Sequence, residues 1–136
     1  MTCRIAVLAI DARDPGRVAE FWAAALGWEV WPDPDGGISL APSGTAELSG
    51  AAGPSIDVFP VPEGKTVKNR LHLDLRADGA TQADEVDRLL ALGATRVDVG
   101  QRADVSWVVL ADPEGNEFCV LARSVQEVAA ANAGTG

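Results

Sequence analysis

The chain has 136 residues, of which 47% are hydrophobic and 23% are charged, and its formal net charge is −9. These values predict a soluble globular domain with its own core. The negative charge argues against a nucleic-acid partner, because phosphate backbones would be repelled. No apolar run reaches the roughly 20 residues that cross a bilayer, and the start of the chain has no signal-peptide pattern. With two cysteines only, we expect a reduced protein in the cytoplasm.

The first half of the chain predicts the order β-α-β-β-β. Residues 3–10 are predicted to form an aliphatic strand, and we expect a helix to follow in which Asp14 is the N-cap, Pro15 the first residue and Gly27 the stop. A turn at "DPDGG" separates two further strands, and "PSIDVFPV" predicts a fourth. Trp22 lies on the apolar stripe of the helix, so we expect it in the core.

The second half repeats this order. "LHLDLRA" predicts a strand, a helix runs from a Thr81 cap to Gly93, and "TRVDVG", "VSWVVLA" and "EFCVLA" predict three strands. When the two halves are aligned at Val7 and His72, the helix-ending glycines Gly27 and Gly93 differ by one position in the alignment. The chain is therefore interpreted as two copies of one module, followed by a tail with a short helix.

Four stretches carry a resemblance to a known family: "DPGRVAEFWAAALGWEV", "VPEGKTVKNRLHLDL", "LLALGATRV" and "DPEGNEFCVL". The chain resembles the glyoxalase-like domains of the vicinal oxygen chelate superfamily, which includes glyoxalase I, extradiol dioxygenases and bleomycin-resistance proteins. The resemblance implies an α+β fold of two βαβββ modules that form an incomplete barrel, with an internal cavity and with helices outside. It also implies a homodimer. We expect one domain over 1–136, with modules at about 3–62 and 69–123 and a tail at 124–136.

The stretch "NRLHLDLRAD" contains His72, the one histidine of the chain. If it is a strand, its side chains alternate between an apolar face of Leu71, Leu73 and Leu75 and a polar face of Arg70, His72, Asp74 and Arg76. Under the resemblance, the three leucines lie beneath a helix and the polar face lines the cavity. His72 is then either a general acid/base assisted by Asp74 or a hydrogen-bonded residue without chemistry.

Metal-dependent members of the superfamily take four ligands from equivalent strand positions. Carried over to this chain, these positions are Val7, at or beside Phe59, His72 and Cys119. One imidazole and one thiol opposite two apolar positions do not suit a hard divalent ion. Asp57 or Glu117 could substitute if the strand register allowed it. We therefore predict no metal site and no cofactor.

Other residues have two interpretations each. Cys119 is either a reactive thiol or, more often for free cysteine, a packed apolar residue. "DPEGN" resembles an ion-binding loop but favours a tight hairpin turn. "KTVKNR" is a solvated linker or an anion contact. Among Trp28, Trp31 and Trp107, we expect at least one to line the cavity.

Two functions from different classes remain. The first is metal-independent binding of a small molecule in the cavity, by residues that include His72, Asp74, Arg70, Phe59, Trp107, Glu117 and Cys119. The alternative is a glyoxalase-like lyase or isomerase that uses His72 as an acid/base, or a divalent metal held by unidentified ligands. A fold that serves many chemistries does not choose between them.

Overall fold

The computed structural model describes residues 1–45 and 50–134. The chain divides into two compact units, Met1–Gly64 and Lys65–Gly136, and each is described by itself. The first contains β1 (Val7–Ala12), α1 (Pro15–Leu26), β2 (Glu29–Pro32), β3 (Ile38–Ala41) and β4 (Ser55–Pro60). The second contains β5 (Asp74–Leu75), α2 (Gln82–Leu92), β6 (Thr95–Arg96), β7 (Val108–Ala111), β8 (Glu117–Val120) and α3 (Val125–Ala133). The predicted pair of βαβββ modules is confirmed.

The ends of α1 and α2 follow from their sequences. The Asp14 side chain accepts a hydrogen bond from the Arg17 backbone N–H, and Gly27 ends α1 in the left-handed conformation at φ 68°. In α2, Thr81 accepts a hydrogen bond from the Asp84 N–H, and Gly93 is the C-cap. Capping uses side chains within one turn of the helix, so a local sequence pattern is enough to predict it.

The two modules have the same sheet topology. The strand order is β1-β4-β3-β2 in the first and β5-β8-β7-β6 in the second. In each sheet the first and last strands of the module pair in parallel, while the other neighbours are antiparallel. The parallel pairing brings the start of each module beside its end, which is where the candidate site residues lie.

Each module buries residues of its central strands together with one face of a helix. In the first module α1 buries Val18 and Trp22, and the sheet buries Leu40, Ile56 and Val58. In the second, α2 buries Val86 and Leu89, and the sheet buries Leu110, Phe118 and Val120. The prediction that Trp22 is a core residue is confirmed, with 2% of it exposed.

The strand predicted at 71–77 is much shorter than expected. Only Asp74 and Leu75 have strand geometry, and Leu71 is 85% exposed, so the prediction that Leu71 lies beneath a helix is wrong. The preceding segment is attached to β8 by a side chain instead of a backbone ladder, because Glu117 accepts a hydrogen bond from the Asn69 N–H at 3.1 Å. Leu73 and Leu75 are half-buried.

The tail forms the predicted short helix. Ser124 and Glu127 form a capping box at the start of α3, with each side chain bonded to the other residue's backbone N–H. The Gln126 side chain accepts a hydrogen bond from the Gly79 N–H at 2.8 Å, which attaches α3 to the loop after β5. Among the described residues, no helix has both the length and the hydrophobicity needed to cross a membrane.

Candidate functional site

The second module brings together His72, Asp74 and Cys119, which we call the His72 cluster. Asp74 and Cys119 are directly paired across the parallel strands β5 and β8, and the Cys119 N–H donates to the Leu73 carbonyl at 2.9 Å. His72 precedes Asp74 by two residues, and its Nε2 lies 3.3 Å from Asp74 Oδ1. One nitrogen, one oxygen and one sulfur atom, all within 4.8 Å of one another, therefore lie on one face of the sheet.

The three side chains differ in their exposure to solvent. Those of His72 and Asp74 are 42% and 50% exposed, whereas Cys119 is 8% exposed. Burial raises the pKa of the Cys119 thiol above its ordinary value of 9.0, and Asp74 raises it further, by its negative charge and by accepting a hydrogen bond from the thiol. The positive charge of Lys68 opposes this. Cys119 is thus a neutral thiol at pH 7, which argues against the reactive-thiol interpretation.

The two cysteines are expected to react with iodoacetamide at very different rates. Cys3 is exposed, whereas Cys119 is buried and its pKa is raised, and only the thiolate attacks. At pH 8 we expect modification of Cys3 at least about tenfold faster, measured by peptide mass spectrometry. Burial is the largest cause of the raised pKa of Cys119, and Asp74→Asn removes the second, the charge of Asp74, so it should speed the reaction of Cys119 and leave that of Cys3 unchanged. Equal rates in the native protein would contradict this account.

Two other predicted site residues, Trp107 and Arg70, belong to the second module, where Val109 is the cross-strand neighbour of Cys119. Val109 pairs with Cys119 across the antiparallel strands β7 and β8 and is buried. Trp107 precedes Val109 by two residues and lies just outside β7, with 41% of it exposed. Arg70 is exposed and lies before β5. Of Trp28, Trp31 and Trp107, Trp107 is the one in the second module, beside the strand that pairs with β8.

Glu117 has the same strand parity as Cys119, but its carboxylate is already engaged. Oε1 accepts a hydrogen bond from Lys65 Nζ at 2.6 Å, and Oε2 accepts one from the Asn69 N–H at 3.1 Å. Burial by itself raises the pKa of Glu117, but these hydrogen bonds and the charge of Lys65 outweigh it, so the pKa lies below its ordinary value. Lys65 is thus half-buried in an ion pair, which sequence reasoning did not find because the partners are 52 residues apart.

A chain of amide and carboxylate side chains continues from Glu117 to the β7–β8 turn. Asn69 Nδ2 donates to Asn116 Oδ1 at 3.1 Å, and Asn116 Nδ2 donates to Asp112 Oδ2 at 2.9 Å. Oδ1 of Asp112 accepts from the N–H groups of Glu114 and Asn116, and Gly115 has a φ of 90°. The interpretation of "DPEGN" as a hairpin turn is confirmed.

The strand register corrects one position in the first module. Asp57 pairs with Ala9 as Cys119 pairs with Asp74, so with Val7 aligned to His72, the counterpart of Cys119 is Asp57 and not Phe59. Phe59 follows Asp57 by two residues on the same face of the strand. Its ring lies against Gly37, where an added Cβ would be 2.7 Å from Phe59 Cδ1. Sequence reasoning named Asp57 only as a substitute that depended on the register, because parallel pairing over 48 residues has no local signal.

The donors of the second module do not suit the hard divalent ion that the family resemblance implies. Mn²⁺ and Mg²⁺ prefer carboxylate, carbonyl and water oxygens, in some sites with imidazole. At the β8 ligand position carried over from the family resemblance, this chain has the neutral thiol of Cys119, and Glu117 is held by Lys65. The His72 cluster is therefore a mixed nitrogen, oxygen and sulfur set in which Asp74 contacts both neighbours.

The chain is similar to a known protein family and to solved structures. A family model described as a glyoxalase-like domain matches residues 7–121, and no curated protein matches significantly. TnmS3, an antibiotic-binding protein from a Streptomyces species, is 17% identical with a TM-score of 0.55, over 90% of this chain and 98% of that one. The fosfomycin resistance protein FosX of Listeria monocytogenes, complexed with Mn(II) and a dihydroxypropylphosphonic acid, is 12% identical with a TM-score of 0.64, over 93% and 95%.

A third solved structure comes from Burkholderia phytofirmans and is named a glyoxalase/bleomycin resistance protein/dioxygenase family enzyme. It is 18% identical to this chain, with a TM-score of 0.61, over 87% of this chain and 97% of that one. Identities this low show that the fold is shared. The ligands named for these proteins are ligands of those proteins and do not carry over to this chain by similarity.

Proposed function

Because the chain belongs to the glyoxalase-like domain family of the vicinal oxygen chelate superfamily, we propose that it binds a small organic molecule at the His72 cluster, without a metal ion between protein and ligand. The observation that carries this proposal is the contact of Asp74 with both His72 and Cys119. Asp74 accepts a hydrogen bond from the Cys119 thiol and lies 3.3 Å from His72 Nε2, so contacts among the three side chains support a site that is held together by the protein's own groups.

The exposure of the cluster also favours a ligand. Cys119 and Val109 form a buried floor, while the polar ends of His72 and Asp74 reach solvent. A small apolar area with a few polar groups at its edge is typical of small-molecule sites. Asp74 and the net charge of −9 favour a ligand with a cationic or hydrogen-bond-donating group.

A second candidate function is a lyase or isomerase in which His72 transfers a proton. The 3.3 Å separation of its Nε2 from Asp74 Oδ1 favours this, because a carboxylate orients an imidazole and stabilises its protonated form. His72 would then be the general acid/base and also a residue of the binding site. The two functions are distinguished by whether a bound compound is converted.

A thermal-shift screen of metabolites and antibiotics in millimolar EDTA tests the proposal. A compound at 100 times its dissociation constant should stabilise the fold by about 2.7 kcal/mol. His72→Gln and Asp74→Asn should each weaken binding at least about tenfold, because each removes one hydrogen bond to a charged group. Asp104→Asn is the matched control, because Asp104 is 74% exposed and pairs with Arg102 away from the cluster in sequence.

Three outcomes of this screen are informative. A compound that stabilises the protein without EDTA but not in millimolar EDTA would show that binding needs a metal ion. Equal affinity in all variants would move the ligand away from the His72 cluster. Conversion of the compound by the native protein but not by His72→Gln would favour the lyase or isomerase.

The assembly and location of the protein are also proposed here. We expect a homodimer, as the resemblance implies, with a small molecule as the other partner and no nucleic acid or membrane. We expect a cytoplasmic location, because a buried free thiol such as Cys119 suits a reducing compartment.

A further inference from the structure

We infer that the Asp35–Gly36 pair, in the turn between β2 and β3, is a site of spontaneous isomerisation to isoaspartate, and that Gln126 protects the other Asp-Gly pair, Asp78–Gly79, from the same reaction. Neither the small-molecule function nor the His72 cluster enters this inference. Its basis is a pair of chemically identical dipeptides whose side-chain contacts differ in the folded protein.

The reaction needs only the aspartic acid side chain and the peptide nitrogen that follows it. The nitrogen attacks Cγ, a C–N bond forms, and one carboxyl oxygen leaves as water together with the proton of the nitrogen. Water then opens the resulting succinimide ring. Opening at Cγ restores aspartate, and opening at the original backbone carbonyl leaves the chain linked through Cγ, as isoaspartate. The water that is released is taken up again, so no other reactant is required.

The two Asp-Gly pairs have the same local backbone features. Both glycines have a positive φ, 95° at Gly36 and 83° at Gly79. Apart from adjoining residues, no heavy atom of the described chain lies within 4 Å of the position that a Cβ of either glycine would take. Both aspartates are exposed. Because glycine has no side chain to hinder the attack, the local sequence predicts equal reactivity at the two pairs.

At Asp78–Gly79 one side chain engages both reacting groups. Gln126 Nε2 donates a hydrogen bond to Asp78 Oδ1 at 2.5 Å, and Gln126 Oε1 accepts one from the Gly79 N–H at 2.8 Å. To react, the nitrogen must lose its proton and approach Cγ of Asp78. Both hydrogen bonds must break first, so the contact with Gln126 opposes the reaction.

Gln126 is held at this place by the first turn of α3. Ser124 and Glu127 close that turn as a capping box, and the Val125 N–H donates to the Ala77 carbonyl at 2.9 Å. This last bond attaches α3 to the residue that precedes Asp78. Gln126 and Asp78 are 48 residues apart in the chain, so the protection comes from the tertiary structure.

At Asp35–Gly36 the carboxylate has no such contact. Within residues 1–45 and 50–134, no group donates a hydrogen bond to the Asp35 side chain. The Gly36 N–H donates to the Asp33 carbonyl at 3.0 Å, which is a single backbone bond in an exposed turn. Local opening of an exposed turn costs little free energy, so the nitrogen can reach the free carboxyl group.

Isomerisation would change the geometry of this turn. The isoaspartyl link adds a carbon atom to the main chain between β2 and β3, whose ends pair Pro32 with Ile38. The same turn is closed by the hydrogen bond from the Asp33 N–H to the Gly37 carbonyl at 3.0 Å. The modification therefore alters the connection of two strands as well as the position of a negative charge.

Incubation of the full chain at pH 7 in heavy-oxygen water tests the inference, because each opening of a succinimide adds one heavy oxygen atom. Arg70 and Arg76 separate the two pairs into different tryptic peptides, and tandem mass spectrometry locates the label. We expect Asp35 to be labelled at least about fivefold faster than Asp78, the factor that corresponds to one hydrogen bond of about 1 kcal/mol.

Two variants test the two halves of the inference separately. Asp35→Glu keeps the charge but would have to close a larger and less favourable ring, so it should abolish labelling at position 35 and leave that of Asp78 unchanged. Gln126→Ala should speed the labelling of Asp78 at least about fivefold and leave that of Asp35 unchanged. Gln126 is exposed, so the variant removes its two hydrogen bonds without opening the core.

Equal labelling of Asp35 and Asp78 in the native protein would overturn the inference. So would the absence of label at Asp35, or a Gln126→Ala variant in which Asp78 stays as protected as in the native protein. Asp35→Glu does not alter α3, so the result at Asp35 holds even where Gln126→Ala loosens that helix. The incubation contains no organic ligand, and its outcome leaves the small-molecule function standing.

Discussion

Glu117→Gln is expected to lower the free energy of unfolding by about 2–3 kcal/mol, although glutamine has nearly the same shape. The side chains of Glu117 and Lys65 are 9% and 18% exposed, so the pair is largely removed from water. Glutamine keeps one oxygen, but its NH₂ group must then face either Lys65 Nζ or the Asn69 N–H, and both are donors. Urea denaturation at pH 7 measures the loss. The exposed Glu63→Gln is the control and should stay within about 0.5 kcal/mol of the native protein.

The same variant should remove part of the pH dependence of stability. The pKa of Glu117 is lowered in the folded state from an ordinary value of 4.5, so its stabilising effect is present above about pH 4.5 and is lost as the pH falls through the folded value. The difference between the native protein and Glu117→Gln should therefore narrow below pH 4.5. A difference that stays constant down to pH 3 would show that the ion pair does not explain the effect.

Asp112→Ala is expected to lower the free energy of unfolding by about 3–4 kcal/mol, the larger of the two effects. Asp112 is 2% exposed, and its carboxylate accepts from two backbone N–H groups and from Asn116 Nδ2. Alanine leaves these donors without acceptors in the β7–β8 turn. Asp112→Asn keeps one oxygen for the backbone donors, so it should lose less, on the order of 1 kcal/mol.

Asp98→Ala is the control for this comparison. Asp98 also accepts a backbone hydrogen bond two residues along the chain, from the Gly100 N–H at 2.8 Å, but that turn is exposed. Asp98→Ala should lower the free energy of unfolding by less than about 1 kcal/mol in the same urea experiment, because water replaces the missing acceptor. Similar losses for Asp98→Ala and Asp112→Ala would show that burial of the turn does not set the cost.

The sequence by itself determined the features that depend on neighbouring residues. Asp14 and Gly27 delimit α1, Thr81 and Gly93 delimit α2, and Asp112 and Gly115 form the last turn, because each acts through hydrogen bonds or backbone angles within a few residues. The repeat of these local signals, together with the family resemblance, was enough to predict two βαβββ modules. The pairing of His72 and Asp74 on one face also followed from strand alternation.

The tertiary structure decided what depends on residues far apart in the chain. Parallel pairing across 48 residues placed Asp57, not Phe59, opposite Ala9. Glu117 is engaged by Lys65 and Asn69, and Leu71 is exposed, although its alternation with polar residues had predicted burial. Register and ion pairing between distant segments are set by the fit of whole strands and by desolvation of the pair, and neither leaves a pattern in the local sequence.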